Sequence, residues 1–405
     1  MKVNDLIKRS TVRDFKAFRV LVDIMKGLLE YSMDERVEAA FHIFMQAYYS
    51  AHFKYGLLAF ETLLANIKSL NNKTHNSKSY YTNLMVNAAF YIQPIPSKVI
   101  YNMKQKNFDQ SKSAFNPFML RDHETGHTVI GCRCAHPSKR KGTFYDIFVI
   151  DTDGIILSIT PMQFDFNFKK YMRLNFDSSI EDIRVFEKSG EYYATATTMD
   201  THFEGPIRMS LFHLRFQRTD GVITMVTGEK LVPLRGYEDD QNQKNWLPFE
   251  HEGQIHFVYK TDPLTILRLP SDKDKVSDKA TDKGEVVKVN VSPGFPKIRG
   301  NTPPIPYKGK WLYLGHCNET RHRIYYHRFI EMNRDFTLSR VSSLFYFERA
   351  NSIEFAVNMI PGKEGHYLIS YGVQDKYARV CEVAERDIEA AFSEHRDFVQ
   401  FTINN

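Results

Sequence analysis

One short outline recurs five times between residues 115 and 371, and it constrains the fold more than any single motif. In each copy a polar or charged cluster leads into an apolar stretch. A glycine then marks a turn, and a run of aromatic and β-branched residues reads as a strand. The copies are 115–119 with 126–133, 181–184 with 190–193, 244–249 with 253–259, 301–305 with 309–314, and 352–355 with 365–371. The successive turn glycines Gly126, Gly190, Gly253, Gly309 and Gly365 stand 64, 63, 56 and 56 residues apart. After each glycine run comes a further strand-like run, at 145–150, 207–214, 264–269, 323–330 and 378–383. A multi-stranded unit repeated at such a period is a propeller blade, since kelch-type blades run about 40–50 residues. Five copies predict a mainly β protein, a five-bladed β-propeller over residues 86–405. A two-sheet sandwich or separate β domains would leave the even spacing unexplained.

The residues ahead of the repeats read differently. Phe18, Val20, Leu21, Ile24, Leu28 and Leu29 recur at helical spacing, as do Phe41, Phe44, Ala47, Tyr48 and Ala51. Residues 1–85 are therefore expected to form a small helical unit of about four helices, serving packing or a homo-oligomer contact. The stretch 270–284 is charged and poor in apolar residues, an exposed excursion between blades. A short helical pattern covers 387–396.

Composition narrows the function. Aromatic residues make up 14% of the chain, with 31 Phe and 22 Tyr, which suits strand-rich packing and a polar-aromatic site. The net charge of +6 is spread along the chain without long basic blocks, so nucleic acid is not an expected partner. No apolar run reaches about 18 residues, so no membrane span is expected, and the charged start 1–13 does not resemble a signal peptide. The cysteines Cys132, Cys134, Cys317 and Cys381 form no Cys-x-x-Cys pair, which argues against zinc and a disulfide framework and for a cytoplasmic home. No metal or other cofactor is expected.

In a propeller the innermost strands line a central channel, so the polar residue just ahead of each inner strand can reach a shared funnel. Those positions are Asn116, Asp182 with Arg184, Lys244 with Asn245, Thr302, and Glu354. Arg133 alternates with Cys132 and Cys134 and so faces away from them. His316 and Asp375 lie just past the ends of their strands. A funnel with few acids and several bases, amides and aromatics suits a sugar or phosphate better than a metal. Trp246 and Tyr371 are either core or platforms for a sugar face, and Glu354 reads as structural.

These segments resemble glycoside hydrolase family 130, five-bladed propellers that phosphorolyse or hydrolyse β-mannosides. They are also similar to the related mannosyltransferases of glycosyltransferase family 108. The resemblance spans about 88–385. Residues 180–184, Ile-Glu-Asp-Ile-Arg, resemble that family's Glu-Asp-Pro-Arg, with Ile183 in place of proline. Asn116-Pro117 and Gly131-Cys132-Arg133 match the first blade, and Lys244-Asn245 the lysine motif. Residues 300–305 with 314–316 resemble a fourth-blade pair, and 370–375 the closing Tyr-Tyr-Gly-x-x-Asp. The resemblance implies that Asp182 handles the proton in an inverting transfer of a hexosyl group, a mannosyl group by this family's pattern, by a glycosyltransferase or glycoside phosphorylase. It implies that Asn116, Arg133, Arg184, Asn245, Thr302 and Asp375 bind substrate. It gives phosphate to Arg208, Lys244 and His316, with Arg218 the candidate for a second phosphate arginine. The partners would be a sugar phosphate or nucleotide sugar and an acceptor sugar. The alternative is a non-catalytic propeller that binds a glycan or a protein.

Overall fold

The computed structural model describes residues 94–103, 113–135, 143–165, 180–199, 207–236, 243–269, 282–290, 298–319, 324–348 and 352–393. The helical unit expected over 1–85 lies outside the described residues. The described chain forms five sheets, one for each sequence repeat.

The first strand, β1 (Lys98–Asn102), stands apart from the blade that follows it. Blade 1 is β2 (Ser113–Arg121), β3 (Thr128–Ala135), β4 (Thr143–Ile150) and β5 (Ile156–Pro161). Blade 2 comprises β6 (Gln163–Phe164), β7 (Glu181–Lys188), β8 (Glu191–Met199), β9 (Ile207–Thr219) and β10 (Val222–Arg235). Blade 3 contains β11 (Leu247–His251), β12 (Gln254–Thr261) and β13 (Leu264–Arg268). A two-residue strand, β14 (Asp282–Lys283), then returns to blade 2 and pairs in parallel with β10 before β15 (Glu285–Val289) completes blade 3. The stretch 270–284, expected between blades, instead falls between two strands of blade 3 in the chain and ends in a strand on the outer edge of the preceding blade. Blade 4 is built from β16 (Ile298–Gly300), β17 (Ile305–Tyr307), β18 (Lys310–Glu319), β19 (Ile324–Met332) and β20 (Leu338–Val341). In blade 5, β21 (Glu354–Pro361), β22 (His366–Val373) and β23 (Tyr377–Ala384) are joined by β1, which pairs antiparallel with β23. The first strand therefore closes the last blade. The helix Glu385–Ser393 begins two residues before its expected start.

The five turn glycines all adopt left-handed φ angles, from 68° to 79°. Glycine takes that conformation without the Cβ clash other residues suffer, which is why each hairpin carries one. The strand before each glycine is the innermost of its blade.

The apolar side chains sort into five clusters, one at each contact between neighbouring blades. Strands sandwiched between two neighbours bury both faces, so their sequences read as continuous apolar runs instead of alternating ones. In β18, Trp311 and Tyr313 pack toward blade 3 while Leu312 and Leu314 pack toward blade 5. In β9, Met209 and Leu211 face blade 3, and Phe212 and Leu214 face blade 1. Trp246 and Tyr371 belong to these cores. Trp246 is buried and donates its indole N–H to Gln243 Oε1 at 3.2 Å, and the Tyr371 hydroxyl donates to Glu348 at 2.7 Å. Neither offers a ring face to a sugar.

Candidate active site

The innermost strands of blades 1, 2 and 5 are each broken by a β-bulge, between Phe115 and Phe118, Glu181 and Arg184, and Ala356 and Asn358. A bulge adds a residue and re-aims the side chains around it. Two of these bulges hold a non-glycine residue at left-handed φ, Asn116 at 43° and Asp182 at 53°. Asn245, just ahead of β11, sits at 62°. Asn and Asp enter that region more readily than other side chains, so the residue types fit the backbone. Asn116 and Asp182 thus lie within their strands, not ahead of them as their place in the sequence suggests.

The bulges bring three blades together. Asn116 Nδ2 donates to Asp182 Oδ1 at 2.9 Å, linking blades 1 and 2. Arg133 NH1 lies 3.5 Å from the same carboxylate oxygen, and Arg133 NH2 donates to Glu181 Oε1 at 2.6 Å. The other Glu181 oxygen lies 3.6 Å from Lys244 Nζ of blade 3. Burial works against the Arg133 charge, but the carboxylates of Asp182 and Glu181 more than offset it and hold the guanidinium above its ordinary value. Its Nε is buried with no hydrogen-bond partner. Beneath, the Tyr145 hydroxyl donates to the Ile180 carbonyl at 3.1 Å, and burial pushes its pKa up. The Asp182 side chain is 18% exposed and that of Lys244 45%, so the cluster opens to solvent from a buried floor.

That floor is Arg184, which is fully buried. Its Nε donates to the Asn301 carbonyl at 2.6 Å, NH1 to the Asp182 carbonyl at 3.0 Å, and NH2 to Asn245 Oδ1 at 3.0 Å. It also lies over the Phe355 ring at 5.6 Å. All three nitrogens are engaged by protein, and burial lowers the pKa to about 10. The side chain expected to touch substrate instead ties the Asp182 bulge to blades 3 and 4. His316 continues the chain: its Nδ1 bonds Asn301 Oδ1, and its ring stacks on Tyr325 at 5.1 Å. Burial, reinforced by His327, Arg299 and Arg184, holds its pKa well below the usual histidine value. It is a neutral member of the network, and it lies within β18, which runs on to Glu319.

The remaining candidates are placed differently. Thr302 is buried and accepts the Leu314 N–H at 2.9 Å within its own blade. Arg208 is buried near the start of β9, paired in register with Thr198 at the Glu181 end of blade 2. Asp375 occupies the turn between β22 and β23 at a φ of 52°. Arg218 lies at the far end of β9, where NH2 donates to Asp122 at 2.6 Å, so it is no neighbour of Arg208. Glu354 accepts the backbone N–H groups of Phe347 and Glu348 at 2.6 and 2.8 Å, a structural role. Sequence reading missed Glu181 and Asn301. Each had a signal: both adjoin a chosen residue inside a recognised motif.

Asn358 exchanges hydrogen bonds with the backbone of Val185, joining blades 5 and 2 across the axis. At the opposite mouth a cavity of about 520 Å³ is lined by Phe186, Phe249, Trp311 and Pro304 among others, and none of the candidate residues reaches it. Among the described residues, no group of three His, Cys, Asp or Glu could hold a metal ion, and no helix is long and apolar enough to cross a membrane.

Fold and site together define a class: a five-bladed propeller carrying two acids, two cations and an amide at one mouth. Solved structures share the architecture. A glycosyl hydrolase from Bacteroides ovatus is similar over 68% of this chain and 85% of its own, with 12% identity and a TM-score of 0.50. A β-1,2-mannobiose phosphorylase from Listeria innocua matches 75% of this chain and 96% of its own at 12% identity, with a TM-score of 0.48. A structure described under the GH130 family of mannoside phosphorylases matches 73% and 94%, at 12% identity and a TM-score of 0.49. At such identity the likeness speaks to fold alone. No family model matches the chain, and no curated protein matches its sequence.

Proposed function

We propose that the protein is a carbohydrate-active enzyme that transfers a hexosyl group, a mannosyl group by its family resemblance, with inversion. The observation that carries this reading is the convergence on Asp182 of Asn116, Arg133 and, through Glu181, Lys244. These residues lie in three motifs that are far apart in sequence and that each resemble a motif of a mannoside-active family.

Asp182 is the proton donor in this reading. A carboxyl protonates the departing glycosidic oxygen, directly or through a sugar hydroxyl, while phosphate, water or an acceptor hydroxyl attacks the opposite face. Asn116 fixes one carboxylate oxygen so that the other is free for the leaving group. Arg133 and Lys244 supply charge and donors for sugar hydroxyls or an incoming oxyanion, a task for which guanidinium is well shaped. Arg208 is assigned to the same anion. Arg184, Asn245 and His316 hold the acid's backbone in place.

The test is incubation of the wild type and Asp182→Asn with mannose 1-phosphate or GDP-mannose and candidate acceptor sugars. Product from the wild type, with turnover of Asp182→Asn reduced by about 10²–10⁴-fold, supports general-acid action. Release of inorganic phosphate from mannose 1-phosphate as the mannoside forms assigns the phosphorylase reaction run in reverse, and release of GDP from GDP-mannose assigns glycosyl transfer. Glycan binding that survives in Asp182→Asn, with no turnover by either protein, replaces the enzyme with a binding module.

A further inference from the structure

The two cations of the site are already occupied. Glu181 Oε1 accepts from Arg133 NH2 at 2.6 Å, and Oε2 lies 3.6 Å from Lys244 Nζ. One carboxylate thus spans the pair with a separate oxygen for each, as a phosphate oxyanion would. The Glu181 side chain is 35% exposed and stands at the first position of β7, so it has room to leave. Asp182 cannot do the same, because its bulged backbone is held by Arg184 and its carboxylate by Asn116. With both carboxylates ionised, the group Arg133, Lys244, Glu181 and Asp182 is formally neutral. Without the Glu181 charge it carries one net positive charge.

We propose that Glu181 is a resident anion: its carboxylate fills the oxyanion position between Arg133 and Lys244, and an anionic substrate must displace it to bind. The inference rests on the proposed use of this site for a sugar and a phosphate-bearing partner. It adds a function for Glu181 that the acid role of Asp182 does not require. Glu181 keeps the two cations aligned when the site is empty and sets how strongly the site prefers an anion to a neutral acceptor. A neutral sugar hydroxyl has no charge with which to compete for Arg133, whereas charge-assisted contact with phosphate is about twice as strong as a neutral hydrogen bond.

The experiment is titration of inorganic phosphate into the full-length wild type and Glu181→Gln by calorimetry, with a mannoside titrated in parallel. Glutamine keeps the shape and one acceptor but removes the charge. The expected result is phosphate binding about 5–10-fold tighter in Glu181→Gln, with a steeper fall in affinity as salt is added and mannoside affinity unchanged. In the Lys244→Met background the gain should largely vanish. Phosphate affinity that is unchanged or weaker in Glu181→Gln overturns the proposal, because Glu181 then serves the anion instead of competing with it. Absence of phosphate binding in both proteins also overturns it. If hexosyl transfer to a neutral acceptor persists in that case, the proposed function stands and only the role of Glu181 is lost.

Discussion

At the scale of single residues, the site depends on side chains that do not touch solvent. Arg184 is a guanidinium buried without a carboxylate hydrogen-bonded to it; its partners are two carbonyls and an amide oxygen. Two effects compete on its removal. Relief of the buried charge favours the variant. Loss of the donors leaves the buried Asn301 carbonyl and two half-buried acceptors, at about 1–3 kcal/mol for each left unsatisfied. The second effect is the larger by this count. Arg184→Met is expected to lower unfolding free energy by about 2–4 kcal/mol in urea titrations at pH 7. A variant as stable as the wild type would show that the charge itself, not its hydrogen bonds, dominates the site's energetics. Ile183, which stands where the family pattern has proline, is fully buried in the cluster between blades 1 and 2. The bulge therefore keeps its shape by packing and by Arg184, without a fixed proline φ.

At the scale of elements, the bulged inner strands are the devices that make the site. The β2 bulge leans on blade 5: a Cβ built on Gly372 would stand 2.2 Å from Asn116 Oδ1 and 2.7 Å from its backbone nitrogen. The side-chain oxygen can move, but the backbone nitrogen cannot without shifting the strand. Gly372→Ala is therefore expected to destabilise by about 1–3 kcal/mol and to break the Asn116–Asp182 bond. Turnover should fall while the mass and strand content of the protein stay unchanged. Full activity in Gly372→Ala would mean that Asn116 is not needed to hold the acid. The closing Ser-Tyr-Gly segment, read in the sequence as a site motif, acts here by proximity. Ser370 donates to the Pro117 carbonyl at 2.6 Å, and Gly372 lets the Asn116 backbone approach.

At the scale of the whole molecule, the ring is held by five apolar interfaces and by β1, which supplies the outer strand of blade 5 from the other end of the sequence. Such packing buries histidines in their neutral form. Burial lowers His327 to about 3 and His256 to about 4, and pulls His316 well below its usual value. Unfolded, each takes a proton near pH 6.5. Below that pH the unfolded chain binds protons that the folded chain excludes, so stability is present above about 6.5 and is lost as pH falls. The expected slope is on the order of 1.4 kcal/mol per pH unit for each histidine. Urea midpoints should drop steadily from pH 7 to pH 5, and His327→Gln should flatten the slope by about one proton. Midpoints independent of pH over that range would mean that these rings gain their protons within the fold. Glu389 adds a second window at lower pH. Its bond from Arg340 lowers it to about 2, so its contribution is lost between its unfolded value near 4.3 and that figure.

The repeat count and the turn glycines were legible in the sequence; the strands that β1 and β14 lend to blades distant in sequence were not. The first two depend on local chemistry: glycine at left-handed turns, and apolar runs where both faces of a strand are buried. That Asp182, Arg133 and Lys244 would meet at one mouth was legible too, because each sits in a short pattern at a set place in its blade. The role of Arg184 was not, since a charged residue beside an acid reads as a surface or ligand contact until burial is known. Nor were Glu181 and Asn301, whose importance comes from partners 48 and 117 residues away. Local sequence decides where a strand bulges and which residue type tolerates it; only closure of the ring decides what that bulge faces, because the facing groups belong to other blades.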